Sequence, residues 1–334
     1  MARQSMWLLG VAGILALGLY GCGSGNADDG QYVTIGTAPA GGTFFDVGSV
    51  IARVLDSEGP EAWSVTAAAT GGSTENMRLL MDDELDLALS NATITWHAYH
   101  LEGEWAETSE QDENLPLANV MTMFPNIALF ITPQSSGIEQ ITDLRGKRVY
   151  VGPEGAGFEY FIRPILKSHG MSFDDISPVY GSQQSAVDYL SDGSVDAAMI
   201  GGGVPTGSIV QVANAMPIRF IPFDDEAKAE LIANYPSYEE ATIPGGTYTG
   251  VDEDFLTLNV GSAHIMTATD VDEELVYQAT KSIFENREEI AKGHPAARAI
   301  TPTNVVKDFG VPFHPGAIRY YREAGIWPED GDVQ

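Results

Sequence analysis

Two α/β lobes with a ligand cleft between them form the fold class this sequence predicts, and three observations predict it. A β-like run, a Gly/Ser/Thr loop and an amphipathic helix recur as one unit, three times before residue 102 and three times after residue 147. Between the two series, Leu117 to Thr132 is apolar but interrupted by Pro125, which suits two extended segments carrying the chain from one lobe to the other. With 334 residues, 44% hydrophobic and 19% charged, the chain can bury a substantial core.

In the first series, Tyr32 to Thr37 reads as a strand, Ala38 to Gly42 as a loop and Thr43 to Asp56 as a helix. Trp63 to Ala69 is a strand leading through Thr70-Gly71-Gly72 into a helix over Thr74 to Asp82, with Ser73 placed to cap it. Leu85 to Ser90 alternates cleanly, and Asn91-Ala92-Thr93 opens a helix from Ile94 to Leu101. Glu102 to Asn114 is acidic and aperiodic, a surface loop.

The second series repeats the order. Lys147 to Val151 is a strand, Gly152 to Gly157 a loop and Phe158 to His169 a helix stopped by Gly170. Ile176 to Tyr180 leads through Gly181-Ser182 into Gln183 to Asp192, and Val195 to Ile200 leads through Gly201-Gly202-Gly203-Val204-Pro205 into Ser208 to Met216. Ile218 to Ile221, Leu256 to Val260 and His264 to Ala268 are extended, and Glu273 to Lys292 is a long helix returning to the first lobe. The division that follows puts 31–124 and 261–334 in lobe 1 and 125–260 in lobe 2.

In open α/β sheets ligands collect beyond the carboxyl ends of strands, so six strand-end loops facing one another define the expected site. The loop Thr70 to Asn76 carries the clearest signal. Its two glycines let the backbone approach a ligand, and the following helix turns its N–H groups and positive dipole end outward, which favours a small anion. A plain capped turn is the competing reading. No Arg or Lys stands in the six loops, so neutral donors and helix ends would have to hold any anion.

At the N-terminus, Met6 to Leu19 is a fourteen-residue apolar run after Arg3, which fits a signal segment and is short for a bilayer span. Leu19-Tyr20-Gly21-Cys22 follows and resembles the lipobox of bacterial lipoproteins. Residues 1–22 are therefore expected to be a lipoprotein signal with Cys22 lipidated, and 23–30 a flexible tether to the membrane. Cys22 is the only cysteine, which excludes an intramolecular disulfide. A net charge of −30, from 47 acids and 17 bases, argues against nucleic acid as a partner.

Four segments carry a family resemblance: Ile35-Gly36-Thr37 with Gly41-Gly42-Thr43-Phe44-Phe45; Thr70-Gly71-Gly72-Ser73 with Glu75-Asn76; Val276-Tyr277 with Ile283-Phe284-Glu285-Asn286; and His314-Pro315-Gly316-Ala317 with Tyr320-Tyr321. In order and spacing the sequence resembles the TAXI family of extracytoplasmic solute receptors, which serve TRAP-type secondary transporters. The resemblance implies a two-lobed fold similar to type II periplasmic binding proteins, closing on one small organic solute such as a carboxylate or amino acid. It also implies delivery to TRAP membrane permease subunits, no cofactor, no metal and no catalysis. Carried over by position, Gly42, Thr43, Phe44, Ser73, Asn76 and Asn91 would bind the ligand from lobe 1, and Gly155, Ala156, Phe158, Ser182 and Gly202 from lobe 2. Where the family has a Gly-Ser-Gly-Thr-like loop, this chain has Gly155-Ala156-Gly157-Phe158, which makes that side of the cleft more apolar.

Other chemistries have thinner support. His97 and His100 stand three apart with Glu104 beyond, but Gly103 should end the helix before the carboxylate joins a metal-binding face. His264 is expected as a buried structural residue. There is no Gly-x-Ser-x-Gly elbow, His-Glu-x-x-His motif or Walker loop, which leaves an anchored hydrolase as a minor alternative. A receptor for an ABC importer, or a sensor, would use the same fold.

Overall fold

The computed structural model describes residues 30–108 and 114–328. The expected signal segment, Cys22 and most of the tether lie outside the described residues. The first series is β1 (Gln31–Gly36), α1 (Thr43–Glu58), β2 (Trp63–Ala68), α2 (Ser73–Met81), β3 (Leu87–Asn91) and α3 (Ala92–Tyr99). The apolar stretch around Pro125 forms β4 (Leu117–Thr122) and β5 (Ile127–Pro133). The second series is β6 (Arg148–Tyr150), α4 (Glu159–Ser168), β7 (Ser177–Val179), α5 (Gln183–Ser191), β8 (Ala197–Gly202), α6 (Gly207–Ala215) and β9 (Ile218–Ile221). Then follow α7 (Asp225–Asn234), β10 (Tyr238–Ile243), β11 (Phe255–Val260), β12 (Ala263–Ala268), α8 (Glu273–Glu285), α9 (Arg287–Gly293), α10 (Pro302–Val305) and α11 (Pro315–Glu323).

These strands build two sheets. One has the order β2-β1-β3-β12-β4; the other runs β10-β11-β5-β8-β6-β7, with β9 paired to β5. Within each, the strand–loop–helix units pair in parallel, β1 with β2 and β3, and β6 with β7 and β8. Strands β3, β4 and β12 are buried along their whole length, as expected of strands covered on both faces. Helices α1 and α8 pack Val47, Ile51, Leu55, Val276 and Ile283 into the core of the first sheet, while α4 sets Phe161, Ile162 and Ile165 against the second. This is the two-lobed, type II binding-protein-like α/β architecture expected from the sequence.

The chain crosses between sheets twice, at 123–126 and 261–262, and the crossings lie side by side. Ala263 N–H donates to Phe124 O at 2.7 Å, Met123 N–H to Ala263 O at 2.8 Å, and Val260 N–H to Asn126 O at 2.9 Å. Asn259 Oδ1 also accepts the Asn126 N–H at 2.9 Å. The two connections thus form one short hydrogen-bonded hinge under the space between the lobes.

Several local expectations need correction. Ser73 does not cap α2: Gly72 holds that position at φ +117°, and Ser73 is the first helical residue. A Cβ on Gly72 would stand 3.3 Å from the Ala156 Cβ of the opposite lobe, so a close approach as well as the left-handed backbone requires glycine there. The long helix over 273–292 breaks at Asn286 into α8 and α9. Within 102–114, Gly103–Trp105 is a 3-10 turn with Trp105 buried. Helix α7 and strand β10 arise in a polar segment whose periodicity is faint.

His264 lies on β12, fully buried, with Nε2 3.0 Å from Thr95 Oγ1 and its ring stacked on Phe309 at 4.2 Å. Burial pushes its pKa down to about 3, and a backbone contact at Ser262 offsets this in part. In the unfolded chain the ring takes up a proton near its ordinary 6.5, so unfolding binds a proton below that pH. Stability from this residue is therefore complete above pH 6.5 and lost toward pH 3, by about 1.4 kcal/mol per pH unit well below 6.5. In denaturant titrations, His264→Gln should flatten the stability profile between pH 6 and 4 by about one proton's worth of slope.

Candidate functional site

All six strand-end loops contribute to one cavity between the sheets. Its wall takes Pro39, Gly42, Thr43 and Phe44 from the first loop, Gly71 to Ser73 from the second, and Asn91 with Ile94 from the third. Pro153, Ala156 and Phe158 come from the fourth, Gln183 from the fifth and Gly201 from the sixth, and Asn126 adds a side from the hinge. Counting its open mouth, the space between its walls is ≈ 510 Å³. Among the described residues no charged side chain lines it.

Helix geometry gives this neutral cavity its polarity. α1 and α2 both begin on glycine, Gly42 and Gly72, and neither has a side-chain cap. Their first-turn N–H groups have no intrahelical acceptor and carry the positive ends of the helix dipoles. By contrast, Asn91 Oδ1 accepts from Thr93 N–H and Ile94 N–H at the start of α3, and Ser182 Oγ accepts from Ser185 N–H in α5. The two uncapped ends are thus the places in this wall that an anion's oxygens suit. Across from them stand Phe158 and Phe161, ring centroids 5.2 Å apart, and on the near side Phe44 meets Phe124 edge-on at 5.9 Å.

The lobes touch on both sides of the cavity. Thr43 Oγ1 donates to Gly203 O at 3.1 Å, and Thr93 Oγ1 lies 2.7 Å from Ser237 Oγ. Tyr160 of α4 stacks on His97 at 5.0 Å and donates to Glu104 at 3.3 Å, and Lys307 pairs with Glu239.

Of the residues expected at the site, Gly42, Thr43, Phe44, Ser73, Asn91, Ala156 and Phe158 line the cavity. Four others stand apart from its wall, each for a local reason. Asn76 is fully buried one turn into α2, where its Nδ2 donates to Thr37 O at 2.8 Å and Leu89 O at 2.7 Å, holding β1, α2 and β3 together. Ser182 turns its hydroxyl back to cap α5. Gly155 faces a separate outer pocket, and Gly202 is filled from above by Thr43, whose Oγ1 lies 2.8 Å from where its Cβ would be. Sequence reasoning missed Asn126, Ile94, Phe161, Gln183 and Gly201. The one available signal was position, since Gln183 directly follows a loop already singled out and Gly201 is the first residue of another.

The histidine pair and Glu104 each face a different partner. His97 Nδ1 is 2.9 Å from Glu102, His100 Nδ1 donates to Trp96 O at 2.9 Å, and Glu104 pairs with Arg78 at 2.7 Å. Among the described residues no group of three His, Cys, Asp or Glu is placed to hold a metal ion. Arg78 lies over the Trp105 ring at 5.0 Å and takes no part in the cavity.

The outer pocket, ≈ 830 Å³ counting its open mouth, is lined by Glu104, Gly155, Glu159, Tyr160, Arg163 and Tyr180 and shares Pro153 and Phe158 with the inner cavity. Burial is the main cause that pushes the Tyr160 and Tyr180 phenols up to about 12, so both remain hydrogen-bond donors. Phe158 is thus a partition. Phe158→Ala should join the two spaces and relax the limit on ligand length, each methylene reaching the outer pocket adding about 0.8 kcal/mol. Calorimetry with a homologous acid series on both proteins reads this directly.

Residues 35–325 match the model of the NMT1-like family, which spans most of the chain. The chain belongs to the NMT1-like family. Among solved structures, this NMT1-like chain is similar to a protein from Bordetella bronchiseptica RB50 at 15% identity, covering 91% of this chain and 92% of that one, with a TM-score of 0.54. Also similar are the periplasmic aliphatic sulphonate binding protein SsuA from Escherichia coli (15% identity, 80% and 76% covered, TM-score 0.44) and a binding protein component of an ABC phosphonate transporter from Pseudomonas aeruginosa (9%, 79% and 79%, 0.49). The Bordetella protein shares the two-sheet fold of this NMT1-like chain. Among the described residues no helix is long and apolar enough to cross a membrane.

Proposed function

We propose that this protein is an extracytoplasmic solute receptor of the TAXI type. It captures a small organic acid between its lobes and hands it to TRAP membrane permease subunits while tethered to a membrane through lipid on Cys22. One observation carries the binding part of the reading: the uncapped N-termini of α1 and α2 converge on a cavity between the sheets that no charged side chain among the described residues lines. They suit a carboxylate, and Phe44, Ile94, Phe158 and Phe161 suit an apolar body. The four family-like segments support the TAXI assignment, and the apolar run before Cys22 supports the anchor.

The mechanism follows from closure. A ligand seated on lobe 1 gains contacts with Ala156, Phe158 and Gln183 only when lobe 2 swings onto it, so it favours the closed form by that difference. A membrane partner that recognises closed lobes then receives loaded receptor. No step consumes ATP at this chain.

A thermal-shift screen of the mature chain against small carboxylates, amino acids and neutral metabolites tests the reading, since a ligand of the native state raises the midpoint. Short carboxylates are the expected hits. Stabilisation by cations alone, or hydrolysis of ester probes, would count against it. Uptake in vesicles carrying the receptor and its permease should follow an ion gradient; dependence on ATP would instead assign an ABC importer.

A further inference from the structure

Helix α3 gives Ile94 to the ligand cavity, and gives Trp96 and His97 to a separate crevice that shares no lining residue with it. That crevice, ≈ 550 Å³ counting its open mouth, runs between the lobes, with Trp96, Glu102 and Phe309 on one side and Tyr235 on the other. Three aromatic rings thus line one space. Each belongs to a residue that is only partly buried, and each is backed by a second ring. His264 stacks on Phe309 at 4.2 Å, Tyr238 stacks on Tyr235 at 4.9 Å, and His100 lies against Trp96 at 4.3 Å. The backing holds the three rings in place and leaves the opposite, electron-rich faces for an occupant.

Charge at the crevice has one dominant sign. Glu102 lines it, and an adjoining space that shares Pro236, Ser237 and Phe309 adds Glu239 and Asp308. Among the described residues Lys307 is the one Lys or Arg in either lining, and it is paired with Glu239. We propose that this crevice is a second binding site, for an organic cation, with an alkylammonium or guanidinium head held over Trp96, Tyr235 and Phe309 and Glu102 at its rim. The ring quadrupoles attract a cation and give nothing comparable to a neutral group, while the carboxylates repel an anion. Because the walls come from both lobes, an occupant makes its full contacts only where the lobes meet, and so favours that arrangement.

The test titrates the mature chain with tetramethylammonium and with tert-butyl alcohol, a neutral molecule of similar size, at physiological salt and followed by ligand-observed NMR. Tetramethylammonium should bind about 10-fold more tightly than the alcohol. Tyr235→Leu and Phe309→Leu should each weaken it about 3- to 30-fold. Neither substitution changes the charge, so general attraction of cations to a chain of net charge −30 is common to all three proteins. Melting temperatures check that the variants fold, and Glu102→Gln gives a weaker-binding third variant that leaves the rings in place. N-acetyl-lysine amide and N-acetyl-arginine amide identify the source: binding tighter than that of tetramethylammonium assigns the head to a protein side chain, weaker binding to a free solute, and either supports the site. Equal binding of tetramethylammonium and the alcohol, binding of neither, or tetramethylammonium binding unchanged in folded Tyr235→Leu and Phe309→Leu would overturn it.

Discussion

A Gly157→Ala variant should bind its ligand roughly 10- to 100-fold more weakly than the wild type, while Gly155→Ala should bind nearly normally. The two glycines share one loop and one backbone region, at φ +87° and +74°, so alanine strains both positions alike. They differ only in what lies above them. A Cβ on Gly157 would come 2.7 Å from Ile94 Cδ1 and 2.8 Å from Thr74 Oγ1, both on the other lobe, whereas a Cβ on Gly155 meets nothing within 4 Å. Overpacking costs about 1–3 kcal/mol and is felt only when the lobes meet, so it subtracts from closure and hence from affinity. Titration calorimetry on the pair separates backbone strain from closure. Equal losses in both variants would mean that the loop's conformation, and not lobe contact, controls binding.

Asn91→Ala should destabilise the fold by about 2–4 kcal/mol, the largest stability effect expected of any cavity-lining residue. The side chain, 2% exposed, caps α3 through Thr93 N–H at 2.9 Å and Ile94 N–H at 3.2 Å. Its Nδ2 reaches to the second crossing, donating to Gly261 O at 2.7 Å and Val260 O at 3.2 Å. Val260 O keeps the Thr93 hydroxyl at 3.0 Å, so truncation orphans mainly the Gly261 carbonyl and the two helix N–H groups. Asn91→Asp retains the cap but sets a buried carboxylate oxygen against the Gly261 and Val260 carbonyls, so it should be at least as destabilising as alanine in chemical denaturation. Because one residue ties the ligand wall to the hinge, its loss should also alter the distribution between open and closed forms in solution scattering.

Much of the architecture was legible because its signals are local. The glycine loops and the change from strand to helix periodicity at Thr43, Asn91 and Gln183 depend on neighbouring residues alone, and the structure keeps them. Pro125 marked the first crossing for the same reason. Ser73 was misjudged because serine before a helix reads as a cap, whereas the positive φ of Gly72 and the proximity of Ala156 in the other lobe explain why glycine takes that place. Ser73 instead accepts the Asn91 N–H at 3.1 Å, a contact between two loops that no sequence window contains. The break at Asn286 carries no proline or glycine, and α7 has charged residues around most of its surface, so neither is written in a period. The site followed the same division. Loop residues were found where the loop itself forms the wall. Gln183 and Asn126 were missed because their roles depend on Gly201 and Asn259, partners distant in the chain.

The central claim is that a small organic acid is held between the lobes at the uncapped ends of α1 and α2. A crystal structure of the mature chain grown with the tightest-binding acid from the screen tests it most directly. The account predicts carboxylate oxygens within hydrogen-bond distance of first-turn N–H groups at Thr43 or Ser73, with the apolar end against Phe158 and the lobes closed. Density for the acid in the outer pocket beside Arg163, or lobes closed identically over a cavity that holds only water, would contradict it.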